Sequence, residues 1–173
     1  MTELRADAQR NLERVLDAAA EVFAASGPDV SIDEIARAAG VGHGTVFRRF
    51  PTKDDLVYAV VERHVAQICE LAEEALASDD PGEAFFEFAR RASELAMKSP
   101  GLHKCVVHCG AKPGCAELEE LGAKVVARAQ QAGALRRDLE AEEVRPLIRA
   151  ALLAAPAGHW RRYLDVVLDG LRA

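Results

Sequence analysis

The chain has 173 residues, of which 50% are hydrophobic and 5% aromatic, and its formal net charge is -6 at pH 7. Its core therefore has to be built mainly from Ala, Leu and Val, a composition that favours an all-α fold. The negative net charge excludes a protein that binds nucleic acid through a basic surface over the whole molecule.

Two helices are predicted in the first 40 residues. Apolar residues recur at spacings of three and four from Leu12 to Phe23, which predicts an amphipathic helix that the following Gly-Pro pair ends. Ser31 and Glu34 then have the spacing of a capping box, in which each side chain bonds the other residue's backbone N–H. The second helix is therefore expected to begin after Ser31, and Gly40 ends it.

A short turn at residues 40–42 leads into a third predicted helix at residues 43–50. A helix, a glycine-containing turn and a second short helix form the pattern of a helix-turn-helix. Pro51 ends the third helix, and Thr52 is placed to cap a long fourth helix over about residues 53–77. Because no linker separates this fourth helix from the helix-turn-helix, we expect a rigid connection to the rest of the chain.

Five further helices are predicted after a turn at residues 78–82. They cover about residues 83–98, 102–109, 115–132, 144–155 and 159–171. Pro146 leaves open where the fourth of these begins, because proline fits the first turn of a helix and disrupts its interior. The expected fold is all-α, with about nine helices and no strand. Two domains are expected, one over residues 1–53 and one over residues 54–173.

Positive charge is concentrated on the predicted helix-turn-helix. No acidic residue lies between Glu34 and Asp54. Four basic residues fall in that interval: Arg37, Arg48, Arg49 and Lys53. In an acidic chain, such a stretch is a candidate phosphate-binding surface. The alternative is an ordinary solvated basic surface.

Residues 30–56, VSIDEIARAAGVGHGTVFRRFPTKDDL, closely resemble the N-terminal head of the TetR family of transcriptional regulators. The family pattern is G-V-x-x-x-T-[LV]-[YF]-x-x-F-x-x-K-[DE]-x-L. The matching residues of this chain are Gly40, Val41, Thr45, Val46, Phe47, Phe50, Lys53, Asp54 and Leu56. With the first helix, the resemblance covers about residues 11–56. It implies that residues 1–53 form a helix-turn-helix DNA-binding domain, and residues 54–173 an effector-binding and dimerisation domain.

The function implied by the resemblance is that of a DNA-binding transcriptional regulator and not of an enzyme. Most such proteins are repressors, which a small ligand releases from a palindromic operator. The expected partners are a double-stranded DNA operator, a small-molecule effector and a second copy of the chain, and no cofactor is expected. A ligand-binding protein without operator recognition is the alternative.

A recognition helix enters the major groove with its N-terminal end, so the residues at that end meet base edges. His43, Gly44 and Thr45 lie there, and the missing side chain of Gly44 lets the backbone approach DNA. Arg48 is expected to read guanine or to bind phosphate. The full set of expected DNA-binding residues is Ser31, His43, Gly44, Thr45, Phe47, Arg48, Arg49 and Lys53.

Three residues of the head complicate this assignment. Family members usually have Tyr at the position of Phe47, and its hydroxyl commonly reaches a phosphate, so we predict a packing role for Phe47. Ser31 has two open roles, as a phosphate ligand or as a helix N-cap alone. Asp33 would repel phosphates. A basic N-terminal arm in the minor groove would compensate, with Arg5, Arg10 and Arg14.

The C-terminal segments RAQQAGALRRDL and HWRRYLDVVLDGLR resemble a subgroup of these regulators. A palindromic operator requires two heads about one helical turn apart, so a homodimer is expected. Its predicted interface lies on the last two helices, with monomer core as the alternative: Leu147, Ile148, Ala151, Leu152, Leu164, Val167 and Leu168. The candidate pocket, for a mainly apolar effector, has residues that also fit a plain core: Phe85, Phe86, Phe88, Leu95, Met97, Cys105, Cys109, Leu121, Val125 and Trp160.

Cysteine and histidine residues cluster in the middle of the chain. Cys105 and Cys109 lie one helical turn apart, with His103, His108 and Cys115 nearby. The cluster suggests a regulator that senses zinc, copper or oxidation. Its spacing matches no established zinc pattern, so core packing is the alternative. Cys105 or Cys109 beside His108 is also the one visible option for an enzyme.

Membrane and secretory features are not found in the sequence. No segment approaches the roughly 18 consecutive apolar residues that span a bilayer, and the first residues lack the apolar part of a signal peptide. Four cysteines do not form the dense pattern of a small disulfide-bonded secreted protein. We therefore expect a cytoplasmic protein with reduced thiols and no membrane partner.

Overall fold

The computed structural model describes residues 2–27, 29–98, 113–156 and 158–173. Eight helices lie in these ranges: α1 Thr2–Ser26, α2 Ile32–Ala39, α3 His43–Arg49, α4 Lys53–Ala77, α5 Pro81–Lys98, α6 Pro113–Gln131, α7 Ala141–Ala154 and α8 Trp160–Leu171. The described residues form no strand, so the predicted all-α fold is confirmed. The helix predicted at residues 102–109 lies outside them. No helix in the described ranges is long and apolar enough to cross a membrane.

The described chain divides into two compact units. Residues 2–64 belong to the first unit, and residues 65–97 with 113–173 belong to the second. The division therefore falls within α4, whereas the sequence suggested one near residue 53. The first turns of α4, which carry the buried residues Leu56, Val60 and Val61, belong to the first unit.

Apolar faces of the helices form the core of the first unit. α1 packs on α2, and α2 packs on α3. Val15, Ala19 and Phe23 of α1 are buried, as their spacing predicted. Elsewhere on α1, Asp17 Oδ1 pairs with Arg63 Nη2 of α4 at 2.7 Å. Because this ion pair is partly exposed, it contributes little, and apolar burial stabilises the unit.

Local hydrogen bonds set both ends of α2. Ser31 Oγ accepts from the backbone N–H of Glu34 at 3.2 Å, which is the first half of the predicted capping box. Gly40 ends the helix with a φ of 66°, in the left-handed region that favours glycine. Its N–H donates to the carbonyl of Arg37 at 3.1 Å. The turn before α3 therefore has the form that the helix-turn-helix pattern predicted.

Reciprocal hydrogen bonds cap the start of α4. The backbone N–H of Asp55 donates to Thr52 Oγ1 at 3.1 Å. In return, Asp55 Oδ2 accepts from the backbone N–H of Thr52 at 3.0 Å and from its hydroxyl at 2.7 Å. The predicted cap at Thr52 is thus confirmed, and it fixes Lys53 as the first residue of α4.

In the second unit, α5 begins earlier than the sequence predicted. Asp80 Oδ1 accepts from the backbone N–H groups of Gly82 at 3.1 Å and Glu83 at 3.0 Å, so Pro81 becomes the first helical residue. A Cβ atom on Gly82 would lie 2.6 Å from Cβ of Ala134, which is far inside van der Waals contact. The chain therefore needs glycine at this point.

The start of α7 also precedes the predicted one. The backbone N–H of Glu140 donates to Oε2 of Glu143 at 2.8 Å, and the helix begins at Ala141. Pro146 lies inside the helix, where it removes one backbone N–H donor.

The last three helices pack in sequence, α6 on α7 and α7 on α8. Residues after α6 bind the end of α8: the N–H of Arg136 donates to the carbonyl of Leu171 at 3.0 Å, and the N–H of Ala173 donates to the carbonyl of Ala134 at 3.2 Å. Leu135, between these bonds, is fully buried. The C-terminal end of α8 is thus fixed to the second unit.

One arginine joins α6 to the end of α4. The half-buried Arg128 donates from Nη1 to the carbonyl of Leu76 and from Nη2 to the carbonyl of Ser78, the latter at 3.1 Å. The last carbonyls of a helix have no partner within the helix. The guanidinium group therefore serves as a C-cap for α4 that the sequence did not indicate.

Candidate nucleic-acid interface

α3 has one buried and one exposed face. Val46 and, just beyond the helix, Phe50 are buried in the first unit. Five exposed residues of the helix form what we call the recognition surface: His43, Gly44, Thr45, Phe47 and Arg48. The sequence proposed all five as DNA contacts, and the structure leaves all five accessible to solvent. Contact with DNA stays a prediction.

Two contacts orient His43, the first residue of α3. Its Nδ1 is hydrogen-bonded to Oδ1 of Asp33, the second residue of α2. Its ring lies against that of Phe47, with 5.8 Å between the centroids and 16° between the planes. The side chain of His43 stays 54% exposed. The sequence suggested only phosphate repulsion by Asp33, because a bond across ten residues has no local pattern.

Phe47 packs differently from what the sequence suggested. Its side chain is 51% exposed, so it does not belong to the core, and its described ring contact is with His43. Without a hydroxyl group it cannot donate a hydrogen bond to a phosphate. An exposed aromatic side chain at this place is suited to apolar contact with a thymine methyl group.

Arg48 turns back along α3. Its Nε donates to the backbone carbonyl of Gly44 at 3.0 Å, and this bond does not use the two terminal nitrogens. A Cβ atom on Gly44 would meet no atom within 4 Å. The space in front of Gly44 is therefore open, and the helix backbone can be approached closely there.

Basic and polar side chains flank the recognition surface. Arg37 and Arg49 are exposed, and Lys53 is half-buried at the start of α4. Ser31 Oγ already accepts one bond as the N-cap of α2, while a hydroxyl proton can still be donated to a phosphate. The two roles considered for Ser31 are thus compatible.

Contact of the predicted basic arm with the minor groove stays a prediction. α1 begins at Thr2, so the positions of Arg5, Arg10 and Arg14 are helical rather than extended. Arg10 pairs with Asp7 on the same helix. Arg14 Nη2 instead reaches the turn after α2, where it lies 2.8 Å from the place a Cβ on Gly40 would take. This places one more positive charge beside the helix-turn-helix.

The predicted dimer interface divides into buried and accessible residues. Four of its members are buried within the single chain: Ala151, Leu152, Leu164 and Leu168. Leu147 is exposed, and Ile148 and Val167 are half-buried. Three further apolar side chains on α7 and α8 are exposed, although the sequence did not assign them to the interface: Leu153, Tyr163 and Val166.

Most candidate pocket residues belong to one hydrophobic cluster of the second unit. Phe85, Phe86 and Val125 are buried, and four others pack against them: Phe88, Met97, Leu121 and Trp160. The rings of Phe85 and Phe86 meet edge to face at 5.1 Å between centroids. Leu95 is half-buried. Cys105 and Cys109 lie outside the described residues. Ligand contact stays a prediction for all of them.

Most of the cysteine–histidine cluster lies outside the described residues, namely His103, Cys105, His108 and Cys109. Cys115 is half-buried at the start of α6, and Cys69 of α4 is buried. Burial raises the pKa of the Cys69 thiol, with a smaller contribution from the negative charge of Glu117. In the part of the chain that is described, no three His, Cys, Asp or Glu residues are grouped to hold a metal ion.

Comparison with known proteins also points to a DNA-binding regulator. Residues 15–60 match the family described as bacterial regulatory proteins, tetR family, and residues 80–173 match the transcriptional regulator SbtR-like, C-terminal domain. The TetR transcription regulatory protein from Mycobacterium vanbaalenii is 40% identical, with a TM-score of 0.74 over 98% of this chain and 99% of that one. The regulator SCO0520 from Streptomyces coelicolor is 30% identical, with a TM-score of 0.70 over 93% and 98%.

A further relative matches over a shorter part of the chain. The HTH-type transcriptional regulator TtgW from Pseudomonas putida is 46% identical over 57 residues, which are 32% of this chain and 42% of that protein. Fold, head and comparisons together define a helix-turn-helix transcriptional regulator. The chain belongs to the TetR family.

Proposed function

We propose that the protein is a homodimeric repressor that binds a palindromic DNA operator through its recognition surface and acts in the cytoplasm. The observation that carries this proposal is the open face of α3, on which the five accessible residues are combined with the nearby cations of Arg37, Arg49 and Lys53. An exposed helix end with flanking positive charge suits base edges inside a groove and phosphates at its margins.

Dimerisation is supported by the apolar surface of the last two helices. Leu147, Leu153, Tyr163 and Val166 are between 40% and 67% exposed. We expect a partner to cover these side chains, because contiguous exposed apolar patches commonly mark protein–protein contacts. A second copy of the chain would cover it and hold two heads at the spacing that a palindrome requires. The proposed interface would thus use these accessible residues rather than the four buried ones, Ala151, Leu152, Leu164 and Leu168.

Release by a small, mainly apolar effector is the second part of the proposal. The aromatic cluster of the second unit offers the apolar side chains such a ligand needs. α4 begins in the first unit and ends in the second, so it is the covalent path by which a change in one reaches the other. A coupling of about 1–3 kcal/mol would change operator affinity from several-fold to about a hundredfold.

The proposal is tested by footprinting the protein on the DNA upstream of its own gene, followed by titration at several salt concentrations. Arg48→Ala and Lys53→Ala should weaken binding without unfolding the protein. A variant that removes one bond to a phosphate should reduce the salt slope by about one, and hence by about two in a dimer. Arg91→Ala is the control, because Arg91 is an exposed arginine of α5 that pairs with Glu74 in the second unit.

The outcomes separate the competing functions. Protection of a palindrome by two chains, lost on addition of an apolar compound, supports the repressor. A protein that binds small molecules but protects no duplex would be a ligand-binding protein without operator recognition. Equal binding by wild type, Arg48→Ala and Lys53→Ala would contradict the placement of the recognition surface.

A further inference from the structure

The first residue of the recognition helix is held from two sides. Asp33 of α2 bonds Nδ1 of His43, and Phe47, one helical turn further on, stacks on the same ring. The bond restricts the direction in which Nδ1 points, and the stack restricts the plane of the ring. Although the ring is about half exposed, its orientation is therefore defined before any DNA is bound.

The bond to Asp33 also selects where the ring carries its proton. An ionised carboxylate can only accept hydrogen bonds, so a neutral imidazole bonded to it through Nδ1 must donate from that nitrogen. The other nitrogen, Nε2, then has no proton and is an acceptor. Among the described contacts, none uses Nε2, and it points away from the carboxylate because the two nitrogens face different sides of the ring.

We infer that Asp33 and Phe47 are positioning residues that make His43 a hydrogen-bond acceptor for an amino group of a base. This inference rests on the proposed DNA binding. In the major groove, adenine and cytosine present an amino group, whereas guanine and thymine present acceptors. Every base pair has one such amino group, so His43 would distinguish the two orientations of a base pair by the strand that carries it. Each half-site should prefer A or C over G or T at one position.

The inference also explains an acidic residue beside a DNA-binding surface. The carboxylate of Asp33 keeps its negative charge and repels phosphates, but it also accepts the hydrogen bond that orients the ring of His43. Replacing Asp33 by Asn keeps the shape of the side chain and changes the chemistry. The amide can donate to Nδ1 as well as accept from it, so it permits both tautomers and removes the selection.

The first experiment measures the tautomer of His43 in the full-length protein without DNA. Nitrogen and carbon chemical shifts of the histidine rings distinguish a proton on Nδ1 from one on Nε2, and the same spectra identify the pH range in which the ring is neutral. We expect a proton on Nδ1 in the wild type and a mixture in Asp33→Asn. A proton on Nε2 in the wild type would overturn the inference, whether or not the protein binds DNA.

The second experiment selects preferred operators from a random library for the wild type and three variants. His43→Ala identifies the position that His43 contacts, where we expect a preference of about tenfold for A or C. Asp33→Asn should lose that preference and keep all others. Glu34→Gln is the matched control, since it removes the same charge from the same helix, and among the described bonds the Glu34 side chain makes none.

Asp33→Asn and Glu34→Gln should show the same general gain in DNA affinity, because each removes one negative charge near the phosphates. Only Asp33→Asn should change the base preference, and a purely structural link between α2 and α3 would lower the melting temperature without that change. Identical preferences for wild type and Asp33→Asn would refute base reading by His43. If no variant binds any duplex, the proposed function fails as well, and the tautomer measurement shows which of the two claims was at fault.

Discussion

Gly44→Ala should stabilise the protein and weaken its operator binding. Gly44 lies inside α3, its φ is not positive, and a Cβ there would meet nothing within 4 Å. Alanine at a compatible helical glycine stabilises by about 0.4–1 kcal/mol. In a protein of this length, 1 kcal/mol raises the melting temperature by about 2–4 °C. We therefore expect a melting temperature about 1–4 °C higher.

The same methyl group should cost affinity, because the open space in front of Gly44 is where DNA is proposed to come close. Overpacking of a close contact costs about 1–3 kcal/mol, which corresponds to a Kd about 5- to 150-fold higher for each half-site. Thermal unfolding and operator titration measure the two effects separately. Gly122→Ala in α6 is the control, since a Cβ added there would also meet nothing within 4 Å. This variant should be more stable than the wild type and bind the operator with unchanged affinity.

Either of two results would refute this reasoning. A lower melting temperature for Gly44→Ala would mean that the helix needs glycine for its own conformation. An unchanged operator affinity, with the expected stabilisation, would mean that DNA does not approach the backbone at this residue. In that case the recognition surface would contact DNA through its side chains alone.

Three further predictions concern stability. Thr52→Ala should lower the free energy of unfolding by about 1 kcal/mol in urea titrations, because the cap of α4 is removed, whereas Thr52→Ser should stay near wild type. Arg128→Met should lower it by about 2–3 kcal/mol, since two carbonyls are left without charged donors; equal stability would contradict the capping role. Gly82→Ala should destabilise by about 1–2 kcal/mol, as its methyl would strike Ala134. Adding Ala134→Gly should restore most of that stability, and no restoration would argue against the steric cause.

The sequence predicted those parts of the fold that depend on residues close together in the chain. The N-caps Ser31 and Thr52 were predicted from their residue types and positions, and both were found. Of the capping box predicted at α2, the described bonds include only the half in which Ser31 accepts from the backbone of Glu34. The start of α7 was missed because Glu140 is not a usual N-cap residue and Pro146 argued for a later start. Local patterns are therefore reliable where common residue types form them.

Contacts between helices could not be predicted in the same way. Periodicity identified apolar stripes on the last two helices, but it could not decide which members face the core. Leu152 is buried and its neighbour Leu153 is exposed. The bond between Asp33 and His43 depends on the angle between α2 and α3, which the spacing of residues does not determine. The sequence thus predicted which residues belong to the candidate site, but not how their side chains contact one another.

Arg128 has a consequence for how a signal could travel. Its guanidinium group belongs to α6 and donates to the final carbonyls of α4, so a large shift of the last turn of α4 relative to α6 would break these two bonds. A molecule that displaces α6 would therefore either move the end of α4 as well or leave two of its carbonyls without their arginine donor.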